Sequence, residues 1–370
     1  MPRYHRIADG SSLPAGLQGS VALYRDTTTG KTVVVKRANR GGERELLLEE
    51  FVYTRLGAHR HIVEYVEGLH ECQRASALVL GYCERGDLFE MLELQEKRTG
   101  RVGLSESLVA SIVWDVRSAL HHCQRRGVSH LDVKPENIFC TSEKFVLGDF
   151  GLSAIHKPNK SEIYVGYKGT PMYMSPEVSA CAKVRAAKVK IVGELADVWG
   201  LGISCFAMLA GTGPFLCASD DDRFFQALRG RDINGFWNAH EAYQGRVFAS
   251  ANAKDFINKC LVVDPAHRAT LVELAEHPWM AFRLSPEELA NHPLMGGIEI
   301  NIPAATVEAQ VCTTTTTASP RSVLSFSATR TVVAGSSPRK RKLNLDRCDI
   351  EFDLGRKSKR LNSADHTQSL

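Results

Sequence analysis

The sequence predicts an α+β fold in two lobes, a small β-rich one at about residues 1–80 and a larger helical one at 88–283, joined by a connection at 81–87. Three observations predict it. Short β-branched runs crowd the first part, whereas helical periods dominate from Leu88 onward. All four tryptophans (114, 199, 237 and 279) precede residue 284. Beyond it the chain turns to Ser, Thr and charge, with an unbroken run at Thr313–Thr317 and Ser-Pro steps at 319 and 337. Such a segment buries too little apolar surface to offset its ordering entropy, so 284–370 is expected to be mostly disordered.

Taken in order, Val21–Leu23 and Thr32–Val35 flank Asp26–Lys31, which reads as the turn of a hairpin. Leu46–Leu56 has helical spacing, and Glu49, Val52, Tyr53 and Leu56 share one face of it. On a regular helix Glu50 points about 100° away. Ala77–Leu80 reads as a short buried strand; Glu106–Arg126 and Val198–Ala210 read as long helices. Two such lobes leave a cleft between them, where ligands commonly bind.

Composition narrows the function. With 370 residues, 44% hydrophobic and 24% charged, the chain is neither collagen, coiled coil nor disordered throughout. A net charge of +4 gives no reason to expect a nucleic-acid partner. The most apolar stretch, Val198–Gly211, falls short of the roughly 20 residues of a spanning helix and is expected in the core, so no membrane partner is expected. The first residues lead into no apolar signal region. Ten cysteines without a Cys-x-x-Cys pair are expected as buried thiols of a reducing compartment, cytoplasmic and/or nuclear.

The strongest chemical signal is His130-Leu131-Asp132-Val133-Lys134-Pro135-Glu136-Asn137, with Asp149-Phe150-Gly151 following 17 residues after Asp132. One loop carries a carboxylate, an ammonium and an amide at fixed offsets, and a second carboxylate lies beyond a short hairpin. Phosphoryl transfer needs such parts: a carboxylate to orient the attacking hydroxyl, a cation to neutralise the moving group, and oxygen ligands for Mg²⁺.

On these motifs, residues from about Leu13 to Phe282 resemble a eukaryotic-type protein kinase domain. The resemblance implies a bilobal kinase fold over 1–283, ATP and Mg²⁺ as cofactors, and protein substrates. It makes Asp132 the catalytic base, puts Lys134 on the γ-phosphate, and makes Asn137 and Asp149 the metal ligands. Lysine two places after the aspartate resembles the serine/threonine branch. Upstream, Pro14–Val21 resembles a degraded glycine-rich phosphate loop with Gly16 and Gly19 in place and Pro14 where the first glycine stands. Val33-Val34-Val35-Lys36 resembles the strand whose lysine holds the α- and β-phosphates and pairs with a helix glutamate; the helical face favours Glu49 over Glu50.

The resemblance further places Leu80 as gatekeeper and gives Gly81 and Cys83 backbone contacts to adenine. It adds Val21, Val34 and Phe139 to the nucleotide pocket and puts Asp87 within reach of the ribose. Asp87 is also placed to cap the helix starting at Leu88. Gly169–Glu177 resembles the end of an activation segment, in which Thr170 supports Asp132 and Lys134. Asp197 resembles the aspartate that ties down the catalytic loop, and Arg268 the arginine that pairs with Glu177. The His277-Pro278-Trp279 ending is similar to the calmodulin-dependent and AMP-activated-like branch.

Two departures shape the functional expectation. Leu131 replaces the arginine that docks an activation-loop phosphate in many regulated kinases, so activity is expected not to depend on phosphorylation at Ser161, Tyr164 or Tyr167. The stretch Val178–Ala196, with Lys183, Arg185, Lys188 and Lys190, is longer than in most relatives and is expected to be a solvated loop. In the tail, Pro338–Lys342 and Arg356–Arg360 resemble a bipartite import signal, which implies a nuclear import receptor as partner. The expected function is an active serine/threonine kinase; the alternative is a nucleotide-binding scaffold, for which Pro14 and Leu131 speak.

Overall fold

The computed structural model describes residues 3–7, 13–16, 19–39, 41–71, 74–158, 162–182 and 188–295. All of them belong to the first of two units, Met1–Thr315; the second is Thr316–Leu370. The tail motifs, Ser161, Lys183 and Arg185 lie outside the described residues.

The N-terminal lobe is an antiparallel sheet carrying one helix. Its strands are β1 (Tyr4–Arg6), β2 (Leu13–Gly16), β3 (Gly19–Asp26), β4 (Thr32–Ala38), β5 (Tyr65–Glu71) and β6 (Arg74–Gly81), in the order β1-β3-β4-β6-β5 with β2 against β3. The hairpin read at Asp26–Lys31 joins β3 and β4. In β4 the side chains alternate, with Val33 and Val35 buried among Ala77 and Val79. Val34 and Lys36 therefore face the other way. Register carries that face across three strands, since Val21 lies opposite Lys36, and Val34 opposite Leu80.

Helix α1 (Glu43–Leu56) buries Leu46, Glu49, Val52, Tyr53 and Leu56, the face its spacing predicts. It ends at Gly57, whose φ of +66° suits glycine.

The helical lobe begins at α2 (Leu88–Thr99), capped by Asp87 accepting the Glu90 N–H at 2.9 Å. Helix α3 (Glu106–Arg125) runs beneath β7 (Val128–Ser129) and the hairpin of β8 (Ile138–Cys140) and β9 (Phe145–Leu147). Next come β10 (Ala154–Ile155), β11 (Glu162–Val165), α4 (Pro176–Ser179), β12 (Val189–Val192) and α5 (Gly193–Ala210). Helices α6 (Arg223–Arg229), α7 (Ile233–Gln244), α8 (Ala251–Cys260), α9 (Leu271–Ala275) and α10 (Pro286–Ala290) close the lobe. Helix α5 is long and apolar enough to cross a membrane, yet it is almost wholly buried in the core with Trp199 and Phe206. It starts five residues before the apolar run that predicted it.

Two boundaries differ from expectation. Residues 284–295 fold onto the lobe: Ser285 caps α10 in a capping box, and Leu289 and Met295 are buried. Two well-placed apolar side chains suffice where average composition reads as tail. The stretch expected as a solvated loop contains β12, which pairs antiparallel with β11 and buries Ile191. The alternation Val189-Lys190-Ile191 is a strand pattern masked by the charges around it.

Candidate active site

Lys36, at the centre of the sheet, is drawn into the cleft by two carboxylates. Its Nζ lies 2.7 Å from Glu49 Oε2 on α1 and 2.8 Å from Asp149 Oδ1. Glu50 turns to His70 Nε2 at 2.9 Å instead. Burial alone would favour neutral lysine, but the two negative charges hold the Lys36 proton above its usual range. Burial likewise opposes the charge on Asp149, and Lys36 reverses the balance, leaving that carboxyl below its usual range. Glu49, 1% exposed, is the costlier partner, since burial pushes its carboxyl up in spite of Lys36.

Asp149 is positioned by the residue after it. Phe150 is fully buried, edge-on to Tyr53 of α1 at 5.1 Å and against His130 at 4.9 Å. With Phe150 inside, Asp149 is left facing Lys36. The backbone of Asp149 is left-handed (φ +57°), as is that of Leu131 (φ +66°). Non-glycine residues rarely adopt this conformation, and at Leu131 hydrogen bonds hold it. Asp197 at the start of α5 accepts the Leu131 N–H at 2.7 Å and the His130 N–H at 2.8 Å. Burial pushes the Asp197 carboxyl up to about 7 despite those two donors.

Asp132 is the centre of a second cluster. Its Oδ1 accepts the N–H and hydroxyl of Thr170, both at 2.9 Å. Lys134 Nζ lies 2.8 Å from Oδ2, and Asn137 Nδ2 donates to Oδ2 at 3.1 Å. Lys134 also donates to Thr170 Oγ1 at 2.7 Å, so loop and activation segment close one ring of hydrogen bonds. Asn137 thus spends its amide hydrogens on Asp132, also reaching its backbone carbonyl at 2.7 Å, and keeps Oδ1 for another partner. That oxygen and the half-exposed Asp149 carboxylate are hard donors of the type Mg²⁺ takes.

Leu80, Gly81 and Cys83 lie at the end of β6 and its exit. Gly81 gives its N–H to Glu64 O at 2.7 Å, and the Cys83 carbonyl accepts the Gly86 N–H at 3.2 Å. A side chain at Gly81 would meet Glu64 Cβ at 2.9 Å, which accounts for glycine at this position. Asp87 acts as the α2 cap, and burial pushes its carboxyl up to about 7. Phe139 on β8 and Val34 on β4 both pack against the main core. Gly16 and Gly19 pair with each other where β2 meets β3.

The model of the protein kinase domain matches residues 8–280. The chain belongs to the protein kinase family. A serine/threonine protein kinase, OSK3, from Oryza sativa subsp. indica is 33% identical over 293 residues, covering 77% of this chain and 52% of the relative. Calcium-dependent protein kinase 1 from Oryza sativa subsp. japonica is 30% identical over 283 residues, covering 73% and 49%. Calcium-dependent protein kinase SK5 from Glycine max is 32% identical over 229 residues, covering 61% and 40%. The chain therefore spans about half the length or less of these curated relatives.

Within this kinase domain, one residue went unread in the sequence. Lys168 Nζ donates to Leu152 O at 2.7 Å and Ser153 O at 3.4 Å, tying the end of the activation segment to its beginning. A lysine two residues before Thr170 carries no local signal for that role. Leu131 packs its side chain against the cluster of Ile163, Val165, Met174, Val178, Ile191 and Ala196. Arg268, with a fully buried side chain, holds Glu177 through two bonds of 2.8 and 3.0 Å.

Proposed function

We propose that this chain is an ATP- and Mg²⁺-dependent serine/threonine protein kinase whose activation segment is held without phosphorylation. The observation that carries the reading is the meeting of Lys36, Glu49 and Asp149 beside the Asp132–Thr170–Lys134 ring. In this reading Lys36 holds the α- and β-phosphates, and Asn137 and Asp149 would hold Mg²⁺, which supplies charge neutralisation on the phosphates. Asp132 orients a Ser or Thr hydroxyl and takes its proton as oxygen attacks the γ-phosphorus. The bond from that phosphorus to the bridging oxygen breaks, and ADP leaves. Thr170 supports the serine/threonine assignment, since it bonds both Asp132 and Lys134.

Independence from phosphorylation rests on Leu131 and Lys168. Where an arginine would wait for a phosphate, Leu131 joins an apolar cluster made by the β11–β12 pair. Lys168 supplies the internal cation that clamps the segment. Burial of that cluster is favoured by about 25 cal/mol per Å² of apolar area with no modification required.

The experiment is transfer from labelled ATP with Mg²⁺ to a generic basic protein, before and after phosphatase treatment. Transfer that survives dephosphorylation is the expected result. Collapse restored by rephosphorylation at Ser161, Tyr164 or Tyr167 would overturn the second half of the reading. Nucleotide binding without transfer would point to the scaffold instead.

A further inference from the structure

Away from the nucleotide cleft, a polar hollow of about 400 Å³ opens between the segment after α1 and the C-terminal half of α3. It is lined by His59, Ser118, His121, His122, Arg125 and Arg126, with no carboxylate among them. The rings of His59 and His122 stack at 4.5 Å, and His61 stands 5.9 Å from His59. The cluster is locked in place. His122 Nε2 donates to Leu56 O at 2.9 Å, and Arg55 Nε donates to Arg126 O at 2.6 Å. His59 Nδ1 accepts the His61 N–H at 3.2 Å, which leaves its proton on Nε2 as a donor.

We propose that this hollow is a binding site for a phosphate-type anion, held by Arg125 and Arg126 with imidazole N–H groups of His59 and His121. Cationic side chains at a helix C-terminus complement the helix dipole, which accounts for Arg125 in the last turn of α3 and Arg126 at its C-cap. It does not account for His59, brought to them from a different segment. Gathering two guanidinium groups with no carboxylate among the lining residues is unfavourable by itself, and a multiply charged oxyanion offers acceptors to both of them and to the His59 Nε2–H at once. The groups facing the histidines point the same way. Burial, His122, His61 and Lys144 push His59 down to about 4, while burial, Arg117, Arg125 and His122 push His121 below its usual range. The acid nearby, Asp115, faces His61 at 3.3 Å. An anion here bridges the segment after α1 to α3, and α1 carries Glu49.

The test follows the imidazole ¹H–¹⁵N signals of the full chain during titration with inorganic phosphate at constant ionic strength and pH 7. Saturable shifts of His59, His121 and His122 are expected, weakened by about fivefold or more in Arg125→Gln/Arg126→Gln, since each exposed cationic partner contributes modestly. His59→Gln, which leaves both arginines, should weaken binding less. A phosphoserine peptide forms the second arm. Tighter binding than phosphate assigns the site to a phosphorylated side chain, and equal binding assigns it to a free anion. An equal response to chloride, unmoved histidine signals, or unchanged affinity in the double variant would overturn the proposal.

Discussion

Lys36 Nζ and Asp149 Oδ1 lie 2.8 Å apart although 113 residues separate them in the chain. The contact joins a β-strand of the small lobe to the loop after β9 in the large one. Beside it Phe150 is buried against Tyr53 and His130, which anchors the backbone that carries the carboxylate.

Replacing Lys36 with Met should lower kcat on the order of 10²-fold or more, the scale for losing one preorganised cationic donor. Folding should survive, because Glu49, whose carboxyl burial already pushes up, can take a proton once its cationic partner is gone. Steady-state phosphoryl transfer together with circular dichroism checks both halves.

Thr170→Val breaks the ring between Asp132 and Lys134 while keeping the side-chain volume. Hydrogen bonds to charged groups contribute about 1.5–3 kcal/mol, so kcat should fall about 10- to 100-fold. Thr170→Ser retains the hydroxyl and should retain most of the activity. A serine variant as impaired as the valine one would remove the hydroxyl from the mechanism.

Arg268→Ala leaves Glu177 without its bidentate partner in a largely buried site, and opens space under Trp199, over which the guanidinium sits at 5.0 Å. Destabilisation of about 3–5 kcal/mol is expected in chemical denaturation. The double variant with Glu177→Gln should recover part of that loss, because the uncompensated charge is then gone.

His59 gives the stability a pH dependence. Its folded pKa, about 4, lies below the ordinary 6.5, so the unfolded chain binds the extra proton between those values. Stability attributable to this residue is therefore present above pH 6.5 and is lost as pH falls toward 4. Denaturation midpoints across that window should fall less steeply in His59→Gln than in the parent chain.

Much of the fold and site was legible along the chain because the signals are local. The α1 face that selects Glu49, the alternation in β4 that turns Val34 and Lys36 to one side, and the loop from His130 to Asn137 each depend on a few neighbouring residues. Where the signal was diluted, the reading stopped short. Charges around β12 hid a strand, and polar composition hid α10 and the burial of Met295.

By itself the sequence determined the family, and the spacing of Lys36, Asp132, Asn137 and Asp149 singled them out as the side chains expected to carry the chemistry. Tertiary structure alone decided what they meet. Glu50 goes to His70, Lys168 reaches back to Leu152, Leu131 joins an apolar cluster, and His59 comes to rest on His122. Periodicity reports the direction of a side chain from its own helix or strand. The partner it finds depends on register and packing between segments far apart, and no local window contains that information.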